Sequence, residues 1–365
     1  MTANRDKNSD IQIIRALAIL LVIAQHLRSR LPTPDAYHDI FNYVMFWPGV
    51  DIFFAISGYL ICKTFYRDIE NSSTKRDALA SFWQRRIARL LPAVIVWVIL
   101  SIIISIFTNS TPNTNPWLVA QSAVTGIFGV SNIYWASCIQ LSLQCGNPDY
   151  NAVTWSLSLE WQLYAISTIL FSALGFKRGI TWLAIIAIAM SILPAPSFSF
   201  PWVLRPQAFT IGAIVYIATK NRRITMRPLT SIAILLAGLL ICILAPLNIP
   251  HPYMIPAISA GAGLCLISAL SGRSLFAALP GNILEWIGER SYSIYLCHLP
   301  LILATREMTV RFDFNEPSYL NFLTSLIMAI SLIAIAANLS YKYIEIPFQK
   351  RMAKRISSGA GSMHS

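Results

Sequence analysis

Stretches of about twenty mostly apolar residues recur along the sequence, and this feature constrains the fold more than any other. A helix needs about 20 such residues to cross the hydrocarbon core of a bilayer. Of the 365 residues, 55% are hydrophobic and 12% charged, which leaves too little polar surface for a soluble protein of this size. The sequence therefore predicts an all-α polytopic membrane protein with about ten transmembrane helices. The candidate spans are 11–29, 41–63, 90–108, 152–174, 180–194, 202–219, 229–248, 253–271, 287–305 and 319–341.

An eleventh apolar segment, 117–130, is shorter and is interrupted by Gln, Ser, Thr and Gly. If it does not cross and the N-terminus is cytoplasmic, 22 of the 28 lysines and arginines lie inside and five outside. A crossing would reverse every later loop and remove this asymmetry, against the positive-inside rule. We therefore expect 117–130 to be re-entrant or interfacial, with both termini cytoplasmic. The net charge of +12 then reflects membrane topology, and no nucleic acid is expected as a partner.

This topology divides the chain into a cytoplasmic N-terminus (1–10), a single transmembrane domain (11–345) and a basic cytoplasmic tail (346–365). We expect no internal repeat and no appended soluble domain. Loop 131–151 falls outside, where an oxidising compartment favours a disulfide between Cys138 and Cys145 over two free thiols. The sequence has no CxxC motif and no Cys/His cluster, so no metal site is expected.

Ionisable side chains inside the predicted spans are few, and such residues usually mark function because they are costly in lipid. Arg15 and His26 share one face of the first span, about 16 Å apart along its axis. Asp51 and Glu160, in two other spans, are predicted at about the depth of His26. A histidine and two acids from three helices at one level indicate a catalytic cluster.

Three arginines, Arg85, Arg86 and Arg89, precede the third span in the motif SFWQRRIARLLP. Arg85 and Arg89 lie one helical turn apart and share a face. Positive-inside anchoring explains their charge, whereas arginine in preference to lysine suits bidentate binding of phosphate. Both interpretations stay open on these residues alone.

Other polar residues fall within or beside the spans. His298 lies at mid-membrane depth in SYSIYLCHLPLIL, and Arg205 opens a span in PWVLRPQAF; both are candidate site residues. Glu345, in YKYIEIPF, is more typical of a structural role near the inner surface. Gly49 and Gly58 flank Asp51 and would allow a neighbouring helix to approach closely.

Six motifs, in chain order, resemble the membrane-bound acyltransferase 3 family, whose members acylate hydroxyls of bacterial surface polysaccharides, with relatives that modify lipids, antibiotics and peptidoglycan. The resemblance implies transfer from cytoplasmic acyl-CoA, usually acetyl-CoA, to a sugar hydroxyl by a protein of the bacterial inner membrane. It extends over nearly the whole chain. The motifs are the Arg15–His26 pair, GVDIFFAISGYLI, RRIARLLP, WSLSLEWQLY, SYSIYLCH and YIEIPF.

The resemblance also implies roles for individual residues. Arg15 and His26 match a pair thought essential, and Asp51 matches the acid of the second-span motif. Glu160 matches the first acid of a motif usually written WSLSVEEQFY, whose second acid is Trp161 here. This departure puts in doubt any role that needs two carboxylates there. The basic inner loop of the family is matched by Arg85, Arg86 and Arg89.

These placements suggest a mechanism in which His26 is the general base and Asp51 or Glu160 orients its imidazole. His26 is the favoured partner of Asp51, but the choice between the two acids stays open. Direct transfer is favoured over an acyl-enzyme because the sequence has no nucleophile elbow. CoA would be bound by Arg15, Arg85, Arg86 and Arg89. The candidates for contacts with the substrate or the oxyanion are Ser156, Tyr164, Arg205 and His298.

The expected acceptor is a glycan or a lipid-linked sugar, with O-antigen and exopolysaccharide as the first candidates. Membrane lipid and polysaccharide-assembly proteins are the other expected partners. Two alternative functions remain. A secondary transporter also has many spans and buried charges, but would be expected to show an internal repeat. A non-catalytic scaffold of a polysaccharide-assembly complex would tolerate replacement of His26, Asp51 and Glu160.

Overall fold

The computed structural model describes residues 8–111, 114–222 and 224–361, and these residues form helices and loops with no strand. The prediction of an all-α protein is confirmed. The helices are α1 (Ser9–Leu27), α2 (Asp35–Ile40), α3 (Gly49–Asn71), α4 (Lys75–Phe107), α5 (Pro116–Ile127), α6 (Ser131–Gln140), α7 (Thr154–Leu174), α8 (Phe176–Met190), α9 (Phe200–Val203), α10 (Gln207–Thr219), α11 (Pro228–Asn248), α12 (Met254–Ser268), α13 (Ser274–Ala278), α14 (Gly281–Arg311), α15 (Tyr319–Ser340), a π-helical turn (Tyr341–Glu345) and α16 (Ile346–Gly361).

Six helical stretches of the described chain are long and apolar enough to cross a membrane, which supports a multi-pass membrane protein. They are Ser9–Leu27, Gly49–Asn71, Lys75–Phe107, Thr154–Leu174, Pro228–Asn248 and Tyr319–Ile356. The other four predicted spans fall on α8, α10, α12 and α14, which are shorter or more polar. The total of ten crossings therefore stays a prediction.

Large apolar side chains cover the outer surfaces of the long helices. On α4, Ile99, Ile103 and Ile106 are exposed, and on α15, Ile327 and Ile330 are exposed. Contiguous apolar surface of this kind is rare on soluble monomers. It fits helices whose outward faces are solvated by lipid, where the backbone hydrogen bonds are satisfied within each helix.

The chain forms two compact units, and the first contains α1, residues 35–63 and residues 169–291. Within it, α3 and α10 pack backbone to backbone. A Cβ atom at Gly58 would collide with the carbonyl oxygen of Phe209, and one at Gly212 would collide with that of Ala55. At Gly49, a Cβ would lie 2.6 Å from the carbonyl oxygen of Ala18 on α1. The predicted close approach at Gly49 and Gly58 is confirmed, and it holds Asp51 deep inside this unit.

The second unit contains residues 29–34, 64–168 and 292–365. Its longest helix, α4, begins at Lys75, so the basic residues expected in a loop before a span at 90 lie on the first half of one continuous helix. Pro92 lies inside this helix, where it cannot donate the usual backbone hydrogen bond. The basic tail is helical from Ile346 to Gly361, since α16 follows the π-helical turn directly.

The segment expected to be re-entrant or interfacial forms α5, a helix of 12 residues. Asn115 caps its N-terminus by accepting a hydrogen bond from the backbone N–H of Trp117 at 3.0 Å. Twelve residues extend about 18 Å, which is shorter than the roughly 30 Å hydrocarbon core. The length of α5 thus agrees with the expectation that it does not cross. In the following segment, Cys138 and Cys145 form a disulfide, as the sequence analysis favoured.

Candidate functional site

His26 lies in the last turn of α1, and its Nδ1 atom is 2.8 Å from the carbonyl oxygen of Val22. A carbonyl oxygen only accepts hydrogen bonds, so Nδ1 carries a proton in this geometry. In the neutral imidazole, Nε2 is then the nitrogen that carries the basic lone pair. The helix backbone therefore fixes the tautomer that a general base needs.

The C-terminal end of α1 is held by the loop that follows it. The side-chain oxygen of Gln25 accepts hydrogen bonds from the backbone N–H groups of Phe46, at 2.8 Å, and Trp47, at 3.1 Å. The hydroxyl of Tyr37 donates to the carbonyl oxygen of Ala24 at 2.7 Å. Burial raises the pKa of Tyr37 to about 12, so this donor keeps its proton at neutral pH. These contacts limit the motion of the turn that carries His26.

Arg15 lies three turns before His26 on the same helix. Its Nε atom donates to the hydroxyl oxygen of Ser291 on α14 at 3.1 Å. Ser291 is fully buried, whereas Arg15 is half-buried. A guanidinium has five N–H donors, and the Ser291 bond uses one of them. The predicted role of Arg15 in binding CoA is not tested by this contact.

Asp51 and Arg205 form a buried bidentate ion pair in the first unit. Nε of Arg205 lies 2.9 Å from Oδ1 of Asp51, and Nη2 lies 3.0 Å from Oδ2. Both side chains are 1% exposed. Among the described residues the partner of this carboxylate is thus Arg205, and the favoured pairing of Asp51 with His26 is corrected. A guanidinium satisfies both carboxylate oxygens at once, which an imidazole cannot do.

Arg205 is also enclosed by aromatic rings and bonded to backbone. Its Nη1 donates to the carbonyl oxygen of Trp202 at 2.7 Å. Its guanidinium carbon lies 4.2 Å from the ring centre of Trp202, 5.2 Å from that of Trp47 and 5.9 Å from that of Phe54. These contacts engage the guanidinium with Asp51 and with Trp202 of α9. They disfavour the predicted alternative in which Arg205 stabilises an oxyanion.

Glu160, in the second unit, accepts a hydrogen bond from the hydroxyl of Tyr164, one turn later on α7. The guanidinium carbon of Arg86 lies 5.5 Å from the ring centre of Tyr164 and 5.6 Å from that of Phe82. Nη2 of Arg86 is also 3.3 Å from the hydroxyl of Thr64. Tyr164 therefore joins the predicted acid to one of the predicted arginines.

Trp161 occupies the position of the second acid in the motif that the sequence resembles. Its ring centre lies 5.8 Å from that of Trp83 on α4. This side of α7 is therefore packed against an aromatic ring, and the motif keeps its first acid, Glu160, with a tryptophan in place of the second.

A cationic pocket of about 400 Å³ opens beside Arg86, between α3, α4 and α16. Asp68 forms an ion pair with Arg85, which offsets one of its positive charges. Three of its cations, Arg85, Arg86 and Arg89, were predicted from the sequence, whereas Arg67 and Lys350 were not. The pocket is lined by Thr64, Arg67, Phe82, Arg85, Arg86, Arg89, Gln349, Lys350 and Ala353.

Ser156 and His298 lie near Tyr295 in the second unit. The hydroxyl of Tyr295 donates to the carbonyl oxygen of Val153 at 3.0 Å and lies 2.6 Å from the hydroxyl oxygen of Ser156. Nδ1 of His298 is 2.8 Å from the carbonyl oxygen of Tyr295, so this fully buried histidine also keeps its proton on Nδ1. Tyr295 is the residue that connects the two predicted candidates.

The chain matches the family model described as an acyltransferase domain, Acyl_transf_3, over residues 8–340. The match includes α1, α3, α4 and α7, which carry the predicted histidine, acids and arginines. The chain belongs to this acyltransferase family. No solved structure matches it.

Curated relatives of this chain are named as O-acetyltransferases, some of them putative. The chain is 29% identical to peptidoglycan O-acetyltransferase OatA of Listeria monocytogenes, over 92% of this chain and 55% of that protein. It is 27% identical to a putative O-acetyltransferase of Staphylococcus aureus strain COL, over 94% of this chain and 58% of that protein. It is 28% identical to putative peptidoglycan O-acetyltransferase YrhL of Bacillus subtilis, over 92% of this chain and 54% of that protein. The chain thus spans about half the length of these relatives.

Proposed function

We propose that this protein is a membrane O-acyltransferase that moves an acyl group, acetyl in the first instance, from acyl-CoA to a hydroxyl of a cell-surface glycan. One observation carries the proposal. The cationic pocket is joined through Arg86 and Tyr164 to the half-buried carboxylate of Glu160, all within one unit.

The pocket has the chemistry to bind the phosphates of CoA. Four arginines and one lysine line it, and the neighbouring Asp68 offsets only one positive charge. Guanidinium groups bind phosphate oxygens in pairs, and CoA carries a pyrophosphate and a 3′-phosphate. All five cations also belong to the set that the positive-inside rule places on the cytoplasmic side, where acyl-CoA is made. The orientation and the donor are parts of this proposal.

His26 is the proposed general base, because the Val22 carbonyl leaves the lone pair of its neutral imidazole on Nε2. Nε2 accepts the proton of the acceptor hydroxyl while the hydroxyl oxygen forms a bond to the thioester carbonyl carbon. The carbon–sulfur bond then breaks, and the CoA thiolate leaves and takes up the proton from His26. The products are the ester and free CoA, and no oxidant or metal is required.

The acceptor class follows from the family and from the names of the relatives. Two relatives are named as peptidoglycan O-acetyltransferases, which makes a peptidoglycan sugar the first acceptor to test. O-antigen and exopolysaccharide sugars are the other candidates. All three present hydroxyl groups on carbohydrate, so the chemistry at His26 is the same for each.

The decisive experiment measures acyl groups on the cell-surface glycan with and without the gene. Purified peptidoglycan and polysaccharide are compared by mass spectrometry and NMR in the deletion strain and in strains complemented with wild type or with Glu160→Gln. We expect a mass difference of one acyl group per modified sugar that only the wild type restores. Identical glycans in all strains would contradict the proposal. Uptake of labelled substrate by purified protein without any acyl donor would indicate a transporter instead.

A further inference from the structure

A second pocket, of about 540 Å³, lies on the other face of α16. Arg351 and Met352 lie three and four residues after Phe348, and Arg355 lies four residues after Arg351, so these side chains share one face of the helix. The cationic pocket uses the other face, through Gln349, Lys350 and Ala353. Helix α16 therefore separates the two pockets, and each pocket is lined by different residues of this helix.

The walls of this second pocket are apolar. From α4 they comprise Ile87, Ala88, Leu91, Pro92, Ile95 and Val96, and from α16 they comprise Phe348 and Met352. Pro92 has no backbone N–H, so one backbone hydrogen bond of α4 is missing at the wall of this pocket. An apolar groove of this size suits hydrocarbon rather than a polar metabolite.

The same groove carries two positive charges at its edge. Arg351 and Arg355 line it one turn apart, and both side chains are exposed. The guanidinium carbon of Arg351 lies 5.9 Å from the ring centre of Phe348, at the junction of the charged and apolar parts. The groove thus combines an apolar floor with a dicationic rim.

The position of the groove along α4 matches the border between polar headgroups and hydrocarbon. Before Leu90, α4 carries Lys75, Arg76, Arg85, Arg86 and Arg89, and from Leu90 to Phe107 it has no charged residue. The groove spans Ile87 to Val96 and so straddles this change. Basic residues at such a border attract anionic lipid.

We propose that this groove binds one anionic glycerophospholipid. An acyl chain lies against Leu91, Ile95 and Met352, and the phosphate is bound by Arg351 and Arg355. Neither arginine lines the cationic pocket, so this site is distinct from the one proposed for acyl-CoA and does not depend on that assignment.

The test uses the purified full-length chain in detergent, with lipid binding counted by native mass spectrometry. The lipids are phosphatidylglycerol, phosphatidylcholine with the same acyl chains, and glycerophosphoglycerol as a headgroup without chains. A photo-crosslinking phosphatidylglycerol locates the site. We expect phosphatidylglycerol to bind more tightly than phosphatidylcholine and to crosslink to residues 87–96 and 348–355.

Two kinds of variant separate the rim from the floor. Since each basic residue near the surface contributes roughly a fivefold gain in binding of anionic lipid, Arg351→Gln with Arg355→Gln should weaken phosphatidylglycerol binding about 25-fold. Ile95→Trp fills the floor without changing charge and should also lower binding. The charge-matched control, Lys342→Gln with Lys354→Gln, alters two basic residues that line neither pocket and should leave binding unchanged.

Three results would overturn the proposal. Equal binding of phosphatidylglycerol by the arginine variant and the wild type would show that Arg351 and Arg355 do not bind the phosphate. Equal losses in the arginine variant and the lysine control would show diffuse attraction to positive charge. Competition by glycerophosphoglycerol as strong as that of the intact lipid would show that the apolar floor has no part in binding.

Discussion

The carboxylate of Asp51 and the guanidinium of Arg205 meet through two hydrogen bonds, of 2.9 and 3.0 Å, with both side chains 1% exposed. Arg205 precedes α10, and Asp51 lies in the first turn of α3. The same two helices touch backbone to backbone at Gly58 and Gly212. The ion pair therefore closes one end of a tight helix pair. We interpret Asp51 as a structural acid.

This interpretation predicts strong coupling between Asp51 and Arg205 in a double-mutant cycle. Asp51→Asn or Arg205→Met alone leaves an unpaired buried group, and removing one partner of a buried pair costs about 3–5 kcal/mol. The double variant has no uncompensated charge and should be more stable than the less stable single variant. Thermal unfolding in detergent, monitored by size-exclusion chromatography, ranks the stabilities of the single and double variants.

Asp39→Asn is the control for this cycle, because Asp39 is an exposed acid of α2 and its loss should leave the unfolding temperature unchanged. If the effects of the two single variants simply added in the double variant, the two side chains would not be coupled.

His26→Ala should lower acyl transfer by at least about 100-fold, the lower limit typical of a general base. The protein should remain monodisperse, because the Nδ1 contact is made to the backbone of its own helix. Transfer is measured with labelled acetyl-CoA and an acceptor glycan. His38→Ala, in the short helix α2, is the matched histidine control. Transfer by His26→Ala at the wild-type rate would remove His26 as the base.

The cationic pocket predicts different effects for two adjacent arginines. Arg86→Gln should raise the KM for acetyl-CoA by roughly tenfold or more, because a hydrogen bond to a charged group contributes about 1.5–3 kcal/mol. Arg85→Gln should have a smaller effect, since Asp68 already binds this side chain. Initial rates at varied acetyl-CoA concentration measure both values.

Acetyl-dephospho-CoA, which lacks the 3′-phosphate, shows which cations bind that group. A variant that has lost a contact to the 3′-phosphate should no longer distinguish the two donors, whereas Arg76→Gln should still do so. Arg76 is exposed on the same helix and does not line the pocket. An unchanged KM in Arg86→Gln and Arg89→Gln would assign these arginines to membrane anchoring alone.

The disulfide offers a test of orientation. Cys138→Ser leaves Cys145 as a free thiol in the segment predicted to lie outside, while the other four cysteines are buried. A membrane-impermeant maleimide is added to cells whose outer membrane and cell wall have been removed and whose cytoplasmic membrane is intact. It should label Cys138→Ser but not the wild type. Labelling only after the cells are opened would place this segment inside and reverse the proposed topology.

Several features of the candidate site could be foreseen because they depend on local chemistry. An arginine and a histidine eleven residues apart on a helix share a face wherever the helix packs, and α1 is helical throughout Ser9–Leu27. The disulfide joins cysteines seven residues apart, a separation that is short enough to be inferred. The length of the basic helix α4 was missed, because its first half lacks the apolar signal by which a span is recognised.

The sequence by itself determined the all-α membrane class, the family motifs and the residue types available for chemistry, because apolar length and charge placement are set along the chain. Tertiary structure alone decided which groups meet. Asp51 and Arg205 are separated by 154 residues, and Lys350 joins Arg67 and Arg86 only because α16 folds back on α4. Partners so distant along the chain leave no periodic signal, so their pairing follows from helix packing and from the need to neutralise charge buried away from water.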